Sequence, residues 1–176
     1  MDLGMFLSFH SLIIKLCVFL FLPFSLLADS VVMYLEEAHT PEKMQWGLMG
    51  RYSLAENEGM LFIFKKHQYQ QLWMFNCFMD LSVAFLDEEL KVIEITELKA
   101  YPEKMDTLRP VFSPSDFRKY SYKDPIIKFF QEKGITSSEP ASYAIEMEKG
   151  WFDKQGIQLG FQLKKLSKNK FIFIRD

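Results

Sequence analysis

The chain has 176 residues, a formal net charge of −2, and 49% hydrophobic and 16% aromatic residues. That composition excludes a disordered chain, and the near-neutral charge offers no electrostatic basis for binding nucleic acid. The length sets the scale of one ordinary domain with a real core.

The first element is a targeting segment. Residues 16–27, LCVFLFLPFSLL, are apolar apart from Pro23 and Ser25, Lys15 stands before them, and Ala28 precedes Asp29. Charge, short apolar run and small-residue exit make the layout of a secretory signal, and the run is well short of the ~20 apolar residues of a membrane-spanning helix. Residues 1–28 are therefore expected to be a signal peptide, and 29–176 a single domain in the periplasm or outside the cell. The alternative is a chain anchored to a membrane by residues 16–28. Of the two cysteines, Cys17 falls in this segment, which leaves Cys77 alone in the mature chain and no intrachain disulfide to form.

Residues 31–35, VVMYL, read as a first strand. Thr40, Pro41 and Glu42 then combine a capping hydroxyl, a proline for the first helical position and an acid for the first turn. The helix they start carries Met44, Gly47 and Leu48 toward the core and can end at Gly50. Residues 53–59 are polar loop. Two strand-like runs follow, 60–64 (MLFIF) and 72–75 (LWMF), with a polar turn over 65–71 between them. In the second run both faces are apolar, which predicts a strand covered on both sides or one presenting a binding face. Residues 83–86 and 92–95 form a hairpin across the acidic turn of Asp87, Glu88 and Glu89.

Residues 104–140 contain Pro110, Pro114, Pro125 and Pro140 and few continuous apolar runs. They read as an elaborated loop carrying one helix, which Asp124 and Pro125 start and Gly134 stops. Tyr143, Ile145 and Met147 then alternate with Ala144, Glu146 and Glu148, the period of a half-buried strand. Gly150, Trp151 and Phe152 turn the chain. Ile157, Leu159, Phe161 and Leu163 alternate again, and residues 171–174 make a last strand. Seven to nine short strands, two short helices and no strand–helix–strand rhythm give a mainly β (α+β) fold, a β-barrel or sandwich-like single domain.

Chemistry-bearing motifs are sparse. The chain has no G-x-S-x-G elbow, no phosphate-cradling glycine loop, no H-E-x-x-H and no paired C-x-x-C. His39 and His67 lack ligand spacing with each other or with Cys77, so no metal and no cofactor is expected. The neighbours of Cys77 (Met74, Phe75, Phe78, Met79) predict an apolar setting, in which a thiol is inert. Lys164, Lys165, Lys168 and Lys170 bracket a polar turn between strands, and a solvated turn accounts for them.

The segments HTPEKMQWGLMGR (39–51), GMLFIF (59–64), WMFN (73–76) and FLD (85–87) succeed one another with the spacing of a known family. Together they resemble the domain-of-unknown-function 192 family, whose members are commonly exported and mainly β. Residues 145–147 with Gly150, and the segment 156–160, are similar to the family's C-terminal half. Three positions depart from it. Phe75 stands where the family usually has a basic residue, Cys77 where it has threonine, and Ser82 where it has aspartate.

The resemblance brings no catalytic residues. Two functions compete: a non-enzymatic binding module of the cell envelope for a small ligand or protein partner, and an enzyme using polar residues near the end of the Trp73 strand. Arg51, Trp73 and Asn76 are the candidate lining residues of the first. Asn76, Cys77, Asp80 and Glu146 would have to converge for the second. Contact with a membrane is expected only through the N-terminal segment, if it stays uncleaved. Export has a direct check. Mass spectrometry of the fractionated native protein should find the chain without residues 1–28 outside the cytoplasm, and a full-length chain soluble in the cytoplasm contradicts the reading.

Overall fold

The computed structural model of the chain describes residues 31–175, and the apolar segment within 1–28 lies outside the described residues. In chain order the elements are β1 (Met33–Ala38), α1 (Pro41–Trp46), β2 (Glu58–Gln68), β3 (Gln71–Leu72), β4 (Leu81–Leu86) and β5 (Val92–Leu98). They are followed by α2 (Pro114–Phe117), α3 (Pro125–Lys133), β6 (Ile135–Thr136), β7 (Ala141–Glu148), α4 (Trp151–Lys154), β8 (Gln162–Lys165) and β9 (Lys170–Ile174). Seven strands form one sheet in the order β5-β4-β7-β2-β1-β9-β8, while β3 and β6 pair separately. The fold is mainly β, as the sequence predicts.

The sheet curls because its edges meet. β5 and β8 are its outer strands. At one end the Val92 N–H donates to the Phe161 carbonyl at 2.9 Å, the Gly160 N–H to the Val92 carbonyl at 2.8 Å and the Leu163 N–H to the Leu90 carbonyl at 2.9 Å. These bonds occupy edge groups that would otherwise invite another chain, and they leave a seven-stranded half-barrel. Its inner face packs Met33, Leu35, Leu61, Leu86, Ile145, Phe152 and Phe173. The outer face of β5, β4, β7 and β2 is buried as well, beneath α1, the segment after β3 and the 100–136 excursion. Every residue of β4 is consequently buried, as expected for a strand covered on both faces.

The helix caps form where the sequence places them. Thr40 Oγ1 accepts from the Lys43 N–H at 3.3 Å, and the Asp124 carboxylate accepts from the Ile126 N–H at 3.3 Å. Helix α1 ends at Gly47, not at Gly50, where the backbone takes a positive φ of +50°. A Cβ there would stand 3.2 Å from the Phe62 ring, so the missing side chain admits the close approach of helix end to strand. In the β4–β5 hairpin, Asp87 Oδ1 accepts the N–H groups of Glu89 and Lys91. That bonding gives the acidic turn a structural role.

Several sequence expectations are corrected. Strand β2 runs on to Gln68 with a register shift after Ile63, through residues expected to be a turn; the polar side chains of 65–68 are those of an exposed strand end. The expected strand over 72–75 is confined to β3. Trp73, Met74 and Phe75 leave it for a tight turn, where their apolar side chains cap the outer face of the sheet. β7 is not half-buried: Ile145 and Met147 are buried on its inner face, and Ala144 and Glu146 are buried on its outer face. Residues 157–161 are irregular, and β8 begins only at Gln162. β1 and β2 are parallel across α1, one strand–helix–strand unit where none was expected. Two further single-turn helices, α2 and α4, join the two anticipated.

Phe75 is fully buried and its ring meets those of Trp73, Phe117, Tyr120 and Phe130 at centroid distances of 5.2–5.7 Å. Phe75→Ala should cost about 3–5 kcal/mol, read as a denaturant-midpoint shift. Trp73→Ala should cost less, because that ring is only partly covered.

Candidate functional site

Between β3 and β4 the chain makes a turn whose geometry asparagine tolerates well. Asn76 adopts φ +56°, a left-handed conformation in which Asn is several-fold enriched. Its carbonyl accepts from the Gly50 N–H at 2.8 Å, and the Arg51 carbonyl accepts from the Phe78 N–H at 3.3 Å. The loop after α1 and the turn at Asn76 are thereby tied together. From the far side the excursion closes on them. Asn76 Nδ2 donates to the Val111 carbonyl at 3.0 Å, and the Asn76 N–H meets Met105 Sδ at 3.3 Å.

The three segments enclose an open cleft of about 390 Å³. Its walls include Tyr52, Phe78, Met105, Val111 and Phe112, with Asn76 as the buried polar residue. Tyr52 and Phe78 stack face to face at 4.4 Å with 14° between their planes. Tyr52 and Phe112 nevertheless remain 74% and 82% exposed, and large apolar side chains left open beside a concavity mark a binding surface better than scattered ones do. A second cleft, of about 300 Å³, opens beside Asn57, Glu148 and Trp151 and is mixed in charge.

Of the expected site residues, Asn76 alone lines the apolar cleft. The Arg51 guanidinium turns away to Glu36, 2.6 Å from its carboxylate. Trp73 packs on Phe75 and Phe117. Asp80 accepts the Ala100 N–H at 2.8 Å, which with Lys149 at 3.2 Å holds its carboxyl below the ordinary range. Its role there is to fasten the start of the excursion to β4. Glu146 lies inside the outer core, 4% exposed, and lines neither cleft. Among the described residues its side-chain carboxyl accepts no hydrogen bond, and burial raises its pKa to about 8. Burial also drives the Cys77 thiol far up, with the Glu146 charge adding to the effect. A thiol so disposed is no nucleophile. Among the described residues no group of His, Cys, Asp and Glu side chains could hold a metal ion.

Tyr52, Phe78, Met105 and Phe112 were not legible as site residues. Each is a lone apolar residue in an irregular segment, and only the turn at Asn76 brings them face to face.

Residues 25–119 match the DUF192 family, described as uncharacterized ACR, over more than half the chain. The chain belongs to the DUF192 family. No curated protein matches it. Two solved structures share its fold. One is the structure of a "putative transcription regulator" (R01717) from Sinorhizobium meliloti 1021, 24% identical, covering 73% of this chain and 78% of that one with a TM-score of 0.53. The other is a protein of unknown function from Novosphingobium aromaticivorans, 22% identical, covering 72% and 70% with a TM-score of 0.51. At these identities the likeness establishes the half-barrel of this DUF192 chain and nothing finer.

The buried carboxyl gives a pH prediction. With its folded pKa near 8 and an unfolded value near 4.5, Glu146 keeps in the native state a proton that the unfolded chain has released. Its contribution to stability is complete below about pH 4.5, falls as the pH rises toward 8, and is lost above it. Denaturant midpoints measured between pH 5 and 8 should decline, and Glu146→Gln should flatten the decline.

Proposed function

We propose that this DUF192 chain is an exported, non-enzymatic binding module of the cell envelope, periplasmic or secreted, which takes a small ligand in the cleft at Asn76. The cleft itself carries the reading. Its volume of about 390 Å³ falls within the roughly 300–1,000 Å³ range of small-molecule pockets, and apolar walls around few polar groups are their usual lining. The export half rests on the apolar run at 16–27. Among the described residues no helix is long and apolar enough to cross a membrane.

The enzymatic alternative has less support. A carboxyl with a strongly raised pKa inside a cleft would favour it, but Glu146 is enclosed in the core, and Cys77 beside it is held as the neutral thiol. Nor does the name of the Sinorhizobium protein transfer, since the net charge of −2 gives nucleic acid no purchase.

A fragment screen followed by protein NMR tests the proposal. Binding should shift the resonances of Tyr52, Phe78 and Phe112 together. Phe112→Ala should weaken binding about fivefold, as for loss of roughly 1 kcal/mol of contact, while stability changes by less than about 0.5 kcal/mol because the ring is exposed. Ligands that shift only residues elsewhere would sink the assignment of this cleft.

A further inference from the structure

We infer that the occupant of the cleft is an aromatic amine: a flat ring bearing a protonated or N–H-rich amino group. This rests on the small-ligand reading above and adds the ligand's chemistry to it. The first observation is Asn76, 2% exposed. Its Nδ2 is committed to the Val111 carbonyl at 3.0 Å, which fixes the amide orientation, because the flipped amide would set two carbonyl oxygens against each other. Oδ1 is left over, and among the described residues it accepts no hydrogen bond. No buried side-chain oxygen among the described residues lacks a partner, so Oδ1 is reached by solvent at the cleft, where a ligand N–H can take the place of water.

The second observation is the sign of the charge. Asp106 is the one formally charged residue lining the cleft, and no lysine or arginine among the described residues lines it. The carboxylate is held ionised by Arg109 Nε at 2.7 Å and the Leu108 N–H at 2.9 Å. The Arg109 guanidinium is shared between two carboxylates, so the three groups together carry one net negative charge. It is spent on Asp106, on Asp124 at 2.7 Å and on the face of Tyr120, 4.3 Å from the ring centroid. An anion would meet a carboxylate and electron-rich ring faces there, whereas a cation would find both favourable.

The third observation is shape. The stacked Tyr52–Phe78 pair presents a flat aromatic surface, with Met105 and Phe112 also lining the cleft. An aromatic ring offset on such a surface gains more than its area burial, and thioether sulfur contacts ring edges favourably.

Tryptamine and indole-3-acetate carry one ring and opposite charges, so together they separate the ligand class from the existence of the site. Full-length mature protein with ¹³C-methyl methionine reports occupancy through the Met105 methyl, and calorimetry gives affinities. Tryptamine should shift the Met105 methyl at pH 7 and bind at least about tenfold more tightly than indole-3-acetate, a difference of ~1.4 kcal/mol. Asp106→Asn and Phe112→Ala should each weaken tryptamine severalfold. Indole-3-acetate binding as tightly as tryptamine, with the same methyl shift, overturns the amine assignment and leaves the cleft standing. Other fragments shifting that methyl while neither indole does so has the same consequence. No fragment shifting it at all overturns both readings.

Discussion

At Gly59 the second strand comes so close to β7 that a side chain there is excluded: a Cβ would run into the Glu146 carbonyl and the Met147 sulfur, and would stand 3.3 Å from Leu35. The carbonyl is backbone and cannot yield, so the contact fixes both the residue and the register. Gly59 faces Met147, and Met60 then faces Glu146. On its other side β7 is held by β4, which places Val83 opposite the same Glu146. Two ladders converging on one strand leave it no freedom to slip, and a slip of one residue would send every side chain to the wrong face. The inner core of Ile145 and Met147 and the outer core around Ala144 both follow from this one close approach.

The same register puts a carboxyl where water scarcely reaches. An ionised Glu146 would be costly between Met60 and Val83 with no hydrogen-bond donor at hand, and the group answers by holding its proton. Two of the departures from the family pattern, Cys77 and Phe75, lie in the same outer core. Cys77 contributes a buried thiol there, and Phe75, where a basic residue is usual, becomes the hub of four further rings. Ser82 accepts the Gly150 N–H at 2.8 Å, a structural bond at the turn into α4. Burial is the cause of the shift at Glu146, and it favours the neutral carboxyl.

Local signals were legible where local physics decides. Thr40 with Pro41, and Asp124 with Pro125, start their helices because a cap and a pre-set φ act within one turn. The β4–β5 hairpin was legible for the same reason: Asp87 satisfies its own turn. Alternation misled where tertiary cover overrides it. Glu146 reads as a solvent-facing residue of a half-buried strand, yet the excursion covers that face. Leu72 to Phe75 reads as a strand because its residues are apolar on both faces, yet they serve as a lid on the sheet. Asn76 is a candidate because it closes the WMFN segment (73–76) that carries the family resemblance. Its partners across the cleft come from residues 105–112, a stretch with no periodicity to read.

That irregular stretch is nonetheless held firmly, and the hold passes through Phe75. The Tyr120 hydroxyl donates to the Arg109 carbonyl at 2.5 Å, and the Arg109 guanidinium bridges Asp106 to Asp124. Asp124 is also the N-cap of α3, whose Ile127 and Phe130 are buried in the outer core. Tyr120 and Phe130 both pack on the Phe75 ring. The wall of the cleft is thus an irregular loop fastened at Arg109 to a helix, and the helix is fastened by aromatic contact to Phe75. Ion pairs as exposed as those of Arg109 contribute little alone, so the buried rings supply most of the anchorage. The buried Phe75 ring thereby gives the far wall of the cleft a rigid footing.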